Sequence, residues 1–256
     1  MGRPPWADSI RILSAENPVV HTSHELRGHG PGGNRYPGES GKETTMSEAA
    51  SALKAGLAES IKARDRAGAV TAAISAIASG ELTIPALYDT LADLLTEIGD
   101  SWQAGETRVW EEHYATAVAR TIVEACQPYV IEHAAPSIGR TAVFATPSEE
   151  YHDLGLRMLA DRFTLAGWSA HLLGANVPAH ELLSAVRELA ADAVVLSAYT
   201  HYHRVALKAY VDALRATFPD MDVWVGGAAF AFEHDDWPDE MMLEPHEVPE
   251  LAGRVV

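Results

Sequence analysis

The chain has 256 residues, of which 47% are hydrophobic and 21% charged, enough for one large or two modest domains with a packed core. Its formal net charge of −17 predicts a surface that repels nucleic-acid phosphates, so we expect no direct nucleic-acid binding. No apolar run is long enough to cross a membrane, and no signal-peptide core is found. The one cysteine, Cys126, allows no intrachain disulfide, which is typical of a cytoplasmic protein.

Residues 1–45 are predicted to form a disordered extension. They are rich in Gly, Pro, Ser and Asn and show no sustained hydrophobic period. Acidic and basic side chains balance within this segment, so the excess negative charge falls on the rest of the chain. Met46 is the predicted first residue of the folded unit.

Residues 46–134 predict a helical bundle. Apolar side chains recur at helical spacing, as at Leu87, Leu91 and Leu94, and short breaks divide the segment into four helices. Gly105 stands where a glycine that ends a helix is expected.

Residues 138–256 change to a pattern of alternating strands and helices. Short β-rich runs such as TAVFAT, SAHLLG, DAVVLSAYT and MDVWVGG alternate with amphipathic helical segments. This alternation predicts a parallel, doubly wound sheet. The predicted fold class is therefore α/β, with an N-terminal four-helix bundle followed by a Rossmann-like domain.

Three predicted strands end in residues that suit a binding site. The carboxyl ends of parallel strands are where such sheets hold ligands. A histidine in a loop is by itself usually just solvated, but here small residues follow two other strand ends, which predicts a groove for a long ligand. The chain has no P-loop and no dinucleotide fingerprint. The candidate residues are Glu150, His152, Gly155, Ser197, Tyr199, Gly226 and Gly227.

The spacing ExHxxG, then SxY, then GG resembles the DxHxxG, SxL, GG signature of cobalamin-binding domains. The resemblance implies that His152 replaces the cofactor's own base as the lower axial ligand of cobalt. Imidazole is a good ligand for such a metal, and a carboxylate on its other ring nitrogen fixes the tautomer and raises its basicity. Glu150 has that role by resemblance.

The same resemblance places the nucleotide tail of the cofactor beside Ser197 and the glycines. Gly155, Gly226 and Gly227 have no side chain to block its approach. Tyr199 stands where the family usually has Leu, Thr or Val, so its contribution departs from the family pattern.

A second motif, Wx9EH, lies in the predicted bundle. Trp102 precedes Glu112 and His113 across the turn at Gly105, so adjacent antiparallel helices bring the three side chains onto one face. Taken alone, such residues are typical of a core tryptophan and a solvated first helical turn. Beside ExHxxG, the motif resembles light-sensing cobalamin proteins of the CarH/LitR type, in which it caps the upper, adenosyl face. Val109 matches a position that lines the adenosyl pocket.

This resemblance covers the chain from about residue 47 to its end and implies adenosylcobalamin held between bundle and sheet. Visible light breaks the cobalt–carbon bond of that cofactor, and loss of the adenosyl group lets the bundle repack against the sheet. We therefore predict a light sensor that changes conformation or assembly and is not an enzyme. A homo-oligomer, either dimeric or light-dependent, is expected.

Two departures from the CarH type bear on the output and the photoproduct. Those regulators carry a MerR-like DNA-binding domain ahead of the bundle, so we expect this chain, which starts with the extension, to signal through a protein partner. Gln103 replaces the histidine that can bind cobalt after photolysis, which leaves His113 as a candidate.

The layout is similar to that of photocobilins, which implies biliverdin as a second chromophore. His201, His203 and His234 are candidates for its pocket, but solvated loop positions are the more typical interpretation.

Other functions stay open. A corrinoid methyl-carrier protein shares the bundle-plus-sheet plan, but it is expected to have Asp in place of Glu150 and no Wx9EH motif. A mutase domain lacks the capping bundle and needs a substrate barrel. A cobalamin-binding antirepressor that acts on a transcription factor is a third possibility, since the acidic surface can mimic the charge of DNA.

Overall fold

The fold is described from a computed structural model that describes residues 39–230, 237–248 and 251. The predicted disordered extension up to residue 38, and His234, lie outside the described residues. None of the described helices is long and apolar enough to cross a membrane.

Five helices form the N-terminal part. Asp65 and Thr83 begin the second and third of them, because their side chains accept hydrogen bonds from backbone N–H groups of the first turn. Gly105 follows the third helix with φ 77°, which confirms the predicted helix-ending glycine. The helices are α1 (Glu39–Lys62), α2 (Arg66–Ala78), α3 (Ile84–Gln103), α4 (Val109–Ala125) and α5 (Gln127–Glu132).

Two boundaries differ from those that the sequence predicts for the bundle. Helix α1 begins at Glu39, before Met46, and residues 39–45 contain no proline that would prevent a helix there. The single last helix that the pattern predicts is split at Cys126 into α4 and α5. The reason is Pro128, which has no N–H group and whose ring clashes with the carbonyl of the preceding turn.

The C-terminal part is a four-stranded parallel sheet in the order β2-β1-β3-β4. Apolar strand residues such as Phe144 and Val195 are fully or almost fully buried, and helices alternate with the strands, so the predicted Rossmann-like fold is confirmed. The elements are β1 (Thr141–Ala145), α6 (Leu154–Leu165), β2 (Ser169–Gly174), α7 (Ala179–Glu188), β3 (Ala193–Ser197), α8 (His201–Thr217) and β4 (Asp222–Gly226).

Helix α6 joins the two parts. Its residues Leu154 and Met158 belong to the apolar core of the bundle, whereas Leu156 and Phe163 belong to the core on the sheet. The bundle and the sheet therefore share one helix, and that helix begins at Leu154, inside the ExHxxG motif, so that Gly155 lies in its first turn and not in the loop.

A buried polar network fastens the far end of α6 to the bundle. Asp161 is 5% exposed and accepts hydrogen bonds from the Tyr88 hydroxyl (2.7 Å) and the Gln127 side chain (2.7 Å). Burial first, and then the negative charge of Asp161, raises the pKa of the Tyr88 hydroxyl, so it stays protonated and donates. Burial also raises the pKa of the Cys126 thiol to about 12, which fits a structural thiol.

Candidate ligand-binding site

Glu150 is the centre of the site at the carboxyl ends of β1 and β3. Its side chain is fully buried, and Oε1 accepts hydrogen bonds from the backbone N–H (2.9 Å) and ring Nδ1 (2.6 Å) of His152. Oε2 accepts a hydrogen bond from the backbone N–H of Tyr199 (2.8 Å). One carboxylate thus holds together two loops that are far apart in the sequence.

The backbone of the β1–α6 loop is shaped to bury this carboxylate. Glu149 has φ 69°, a left-handed conformation that turns the chain sharply. Its N–H donates to the Asn176 side chain (2.8 Å), and the Thr146 hydroxyl donates to the Glu150 carbonyl (2.7 Å). The loop is therefore held from both sides, and the position of Glu150 follows from this local geometry.

The surroundings keep Glu150 ionised. Burial alone would raise the pKa of Glu150, but the hydrogen bonds from His152 and Tyr199 outweigh burial and lower the pKa below its usual value. A carboxylate only accepts hydrogen bonds, so the Nδ1 atom of His152 carries the ring proton. The Nε2 atom then has a free lone pair.

The lowered pKa of Glu150 predicts a pH-dependent contribution to stability. A carboxyl whose pKa is lower in the folded state than in the unfolded state stabilises the fold at any pH above its unfolded-state pKa, which is near 4.5. This stabilisation is lost as the pH falls through the folded-state pKa. We expect the free energy of unfolding of wild type to exceed that of Glu150→Gln by the largest margin near pH 7 and by a shrinking margin below about pH 5. Urea unfolding of both proteins between about pH 3 and pH 7 measures this difference. A margin that stays constant across the range would contradict the prediction.

His152 presents its ring to the outside of the sheet. The side chain is 57% exposed, and its ring stacks on that of Tyr199 with 4.1 Å between centroids and an interplanar angle of 19°. Within the described part of the chain no hydrogen bond to Nε2 is found. The ring is oriented by two neighbours while its free nitrogen stays available for a ligand.

The glycines have different roles. A Cβ atom on Gly155 would meet nothing within 4 Å, so open space lies beside it, as expected for a binding groove. Gly227 has φ 100°, and a Cβ there would lie 2.5 Å from the Ala198 carbonyl oxygen and 2.6 Å from Ser197 Oγ. The close packing of the chain on itself therefore already requires a glycine at residue 227. At Gly226 a Cβ would come within 3.2 Å of a backbone carbonyl.

The Wx9EH residues lie at one end of the α3–α4 hairpin. Trp102 is 44% exposed and Val109 is 52% exposed, so Trp102 is not a core residue. Glu112 Oε2 lies 2.5 Å from His113 Nδ1, and the Thr116 hydroxyl donates to Glu112 Oε1 (2.9 Å). Among the described residues, no ring contact joins Trp102 to His113. The exposed indole thus lies in the last turn of α3, and the carboxylate–imidazole pair lies near the start of α4.

His203 belongs to this site, although the sequence predicts it only as a candidate for a bilin pocket and does not predict its contact with Glu150. Its Nδ1 lies at an ion-pair distance of 2.9 Å from Glu150 Oε2 and 2.8 Å from Thr200 Oγ1, and its side chain is only 14% exposed. The interpretation of His203 as a solvated loop residue is wrong, because it lies in α8 and its side chain is largely buried. His201 is exposed, as that interpretation expects, but it is the first residue of α8 and does not lie in a loop. Thr200 is the signal in the sequence for a helix that begins at His201, because its side chain accepts a hydrogen bond from the His203 N–H in the first turn of α8.

A contact from the bundle is also absent from the sequence predictions. Arg120 of α4 donates to Asp153 Oδ1 (2.5 Å), and Asp153 directly follows His152. The two residues are distant in the sequence, so no local pattern could predict the pair. The bundle therefore touches the loop that carries the exposed imidazole.

The residues of the site fit a cobalamin. The site offers an exposed imidazole, that of His152, whose Nδ1 is bonded to a buried carboxylate, and metal-binding histidines are typically supported in this way. No atom would lie within 4 Å of a Cβ on Gly155, so the first turn of α6 does not block the approach of a ligand there.

Comparisons with known proteins agree with this fit. Residues 140–242 match a family model described as B12 binding domain, and residues 53–127 match a second model with the same description. The chain is 35% identical over 149 residues to the HTH-type transcriptional repressor CarH of Myxococcus xanthus, covering 57% of this chain and 48% of CarH. It is also 35% identical over 127 residues to the repressor CarA of the same organism, covering 49% of this chain and 42% of CarA. The chain spans about half the length of these curated relatives.

A solved structure shares the fold. The Methanosarcina barkeri monomethylamine corrinoid protein superposes with a TM-score of 0.65 over 78% of this chain and 96% of that protein, at 18% sequence identity. The two family matches cover the helical bundle and the Rossmann-like domain in turn, so the chain carries a two-part B12-binding module. Within that class, this chain carries a CarH-like cobalamin-binding module.

Proposed function

We propose that this protein is a light sensor that binds adenosylcobalamin base-off/His-on and responds to light with a change of conformation or oligomeric state. The observation that carries the proposal is His152, whose Nδ1 is held by the buried Glu150 while Nε2 stays free on an exposed ring. When bound, the cofactor supplies a cobalt–carbon bond that visible light breaks. The 35% identity to CarH supports the light-sensing interpretation.

The residues of this chain have distinct roles in the proposal. His152 would bind the cobalt through Nε2, and Glu150 holds the ring through Nδ1 and so fixes its tautomer and orientation. Tyr199 stacks on the imidazole and limits its rotation. Ser197, Gly155, Gly226 and Gly227 would hold the nucleotide tail of the cofactor.

The upper face is assigned to the bundle. Trp102 and Val109 are half-exposed apolar side chains at the α3–α4 connection, and they would cover the adenosyl group. Glu112 and His113 complete this cap, with His113 the candidate nitrogen ligand after photolysis.

The light signal is passed on through contacts with other protein chains. We propose a homo-oligomer that signals through a protein partner without direct nucleic-acid binding, consistent with the net charge of −17. Biliverdin as a second chromophore is part of the proposal, and the spectroscopic test includes it for that reason.

The test is an absorption spectrum of the purified protein with adenosylcobalamin, with and without biliverdin, before and after green light. We expect a bound cobalamin that converts irreversibly to a stable protein-bound product in wild type but not in His152→Ala. His180→Ala is the matched control, because His180 is a largely exposed histidine of α7 beside its neighbour Glu181. An added red-absorbing band with biliverdin would support the bilin. Cobalamin that converts no faster than the free cofactor and gives no stable product would contradict a photosensor.

The corrinoid methyl-carrier alternative makes the opposite prediction. In a methyl carrier, the bound cofactor is expected to stay intact in light, and the protein is expected to deliver a methyl group to a thiol acceptor. Methyl transfer from protein-bound methylcobalamin, together with a photostable complex, would favour that function. Capture of a transcription factor by the cobalamin-bound protein, without any light response, would favour the antirepressor.

A further inference from the structure

We infer that Arg120 is a positioning residue through which the helical bundle sets the orientation of the His152 loop. The inference rests on the proposed function for its consequence at cobalt, while its structural part concerns only contacts within this chain. Arg120 lies in α4, and its guanidinium donates to Asp153 Oδ1 at 2.5 Å. The side chains are 41% and 16% exposed, so the contact lies at the edge of the interface.

Asp153 uses its carboxylate in an unusual way for its position. It is the residue immediately before α6, where an aspartate normally accepts a hydrogen bond from an N–H of the first turn. Here Asp153 makes no such capping hydrogen bond. Its carboxylate is directed to the bundle instead, so a local stabilising contact has been exchanged for a long-range one.

The start of α6 has one side that faces the bundle. Leu154 and Met158 pack into the apolar core of the bundle, whereas Leu156 packs into the core on the sheet. The residues on the C-terminal side of His152 are therefore held partly by the bundle, through an ion pair and these two apolar side chains. On its other side, His152 is held by Glu150, which belongs to the sheet domain.

His152 thus lies between two anchors on different parts of the protein. A displacement of α4 relative to the sheet pulls on Asp153, and the loop transmits this pull to the imidazole next to it. Because coupling between two sites is reciprocal, ligation of His152 also biases the position of the bundle. The upper cap and the lower ligand of the proposed site are then connected within the protein, and not only through the cofactor.

The other bundle-to-α6 ion pair provides a control. Arg162 near the end of α6 donates to Asp89 (2.6 Å) and to the Pro85 carbonyl (3.0 Å) of α3. It crosses the same interface far along α6 from His152. If loss of the Arg120 contact acts only by loosening the interface between bundle and α6, loss of the Arg162 contact should have the same effect on the His152 loop. If Arg120 positions the loop, loss of the Arg162 contact should leave the loop unchanged.

The test uses Arg120→Gln, Asp153→Asn and the double variant, with Arg162→Gln as control. Asparagine is as good a helix N-cap as aspartate, so Asp153→Asn keeps the start of α6 while it removes the charge and replaces one acceptor oxygen by an N–H donor. In the cofactor-free protein, hydrogen exchange of the backbone amides of residues 150–155 should be about two- to fivefold faster in both single variants, the size expected for a half-exposed ion pair. The double variant should exchange no faster than either single one, since both remove the same interaction.

With adenosylcobalamin in the dark, the two single variants should show a reduced His-on fraction in the absorption spectrum, and Arg120→Lys should restore it in part by keeping the charge. Arg162→Gln should change neither readout at the loop. Unchanged exchange in Arg120→Gln, additive effects in the double variant, or an equal effect of Arg162→Gln would overturn the inference. Failure of wild type to bind adenosylcobalamin would overturn the proposed function and the consequence at cobalt, but not the exchange result.

Discussion

A Glu150→Gln variant is expected to bind adenosylcobalamin about 10- to 100-fold more weakly than wild type, the usual effect of removing the carboxylate that supports a metal-binding histidine. Gln is almost the same size as Glu, but its amide group is a donor on one side. That donor must face either the N–H groups of His152 or the N–H of Tyr199, which are themselves donors. Titration of the protein with the cofactor in the dark, followed by absorption, measures the loss.

The neighbouring Glu149→Gln variant is the matched control. It makes the same chemical change one residue away, at an exposed side chain. We expect its affinity for the cofactor to stay within about twofold of wild type, as is usual for surface substitutions. Equal losses in the two variants would show that the general negative charge of the loop, and not the buried carboxylate, supports binding.

An Asp161→Ala variant is expected to lower the free energy of unfolding by about 3 kcal/mol, within the range for breaking a buried polar network. The change leaves the hydroxyl of Tyr88, which is 1% exposed, without its acceptor, and removes the partner of Gln127. Unfolding by urea, followed by circular dichroism, gives the free energy.

Asp89→Ala provides the comparison for this network. Asp89 also links α3 to α6, through Arg162, but its side chain is 67% exposed and the pair is screened by solvent. Its loss should lower stability by no more than about 1 kcal/mol. If the two variants lost equal stability, the buried position of Asp161 would not be what matters at this junction.

Local patterns in the sequence are sufficient to predict most of the fold. The alternation of β-rich runs and amphipathic segments predicts the four parallel strands, because each buried strand has to be continuous in apolar residues. Helical spacing predicts the bundle, since it reflects one buried face per helix. The helix boundaries at Pro128 and Thr200 differ from the predictions, although both residues have known local effects, because a strong helical or strand period extends across them.

In the candidate site too, contacts between residues close in the sequence are predicted, whereas contacts between distant residues are not. Glu150 and His152 are two residues apart, and the hydrogen bond between them is the one that their motif predicts. Their role at cobalt stays a prediction. Trp102, Glu112 and His113 are predicted to share a face, and they lie at one end of the α3–α4 hairpin, where Glu112 contacts His113.

By itself the sequence determined the class of this protein: a bundle followed by a parallel sheet, with a histidine and its carboxylate on a strand-end loop. These features depend on residues that are close in the chain, where spacing translates directly into geometry. Only the tertiary structure decided that His203 stands against Glu150, that Asp161 fastens α6 to the bundle, and that Arg120 contacts the loop of His152. Each of those contacts joins elements that are distant in the sequence, so it exists only once the apolar cores have packed and fixed the helices relative to the sheet.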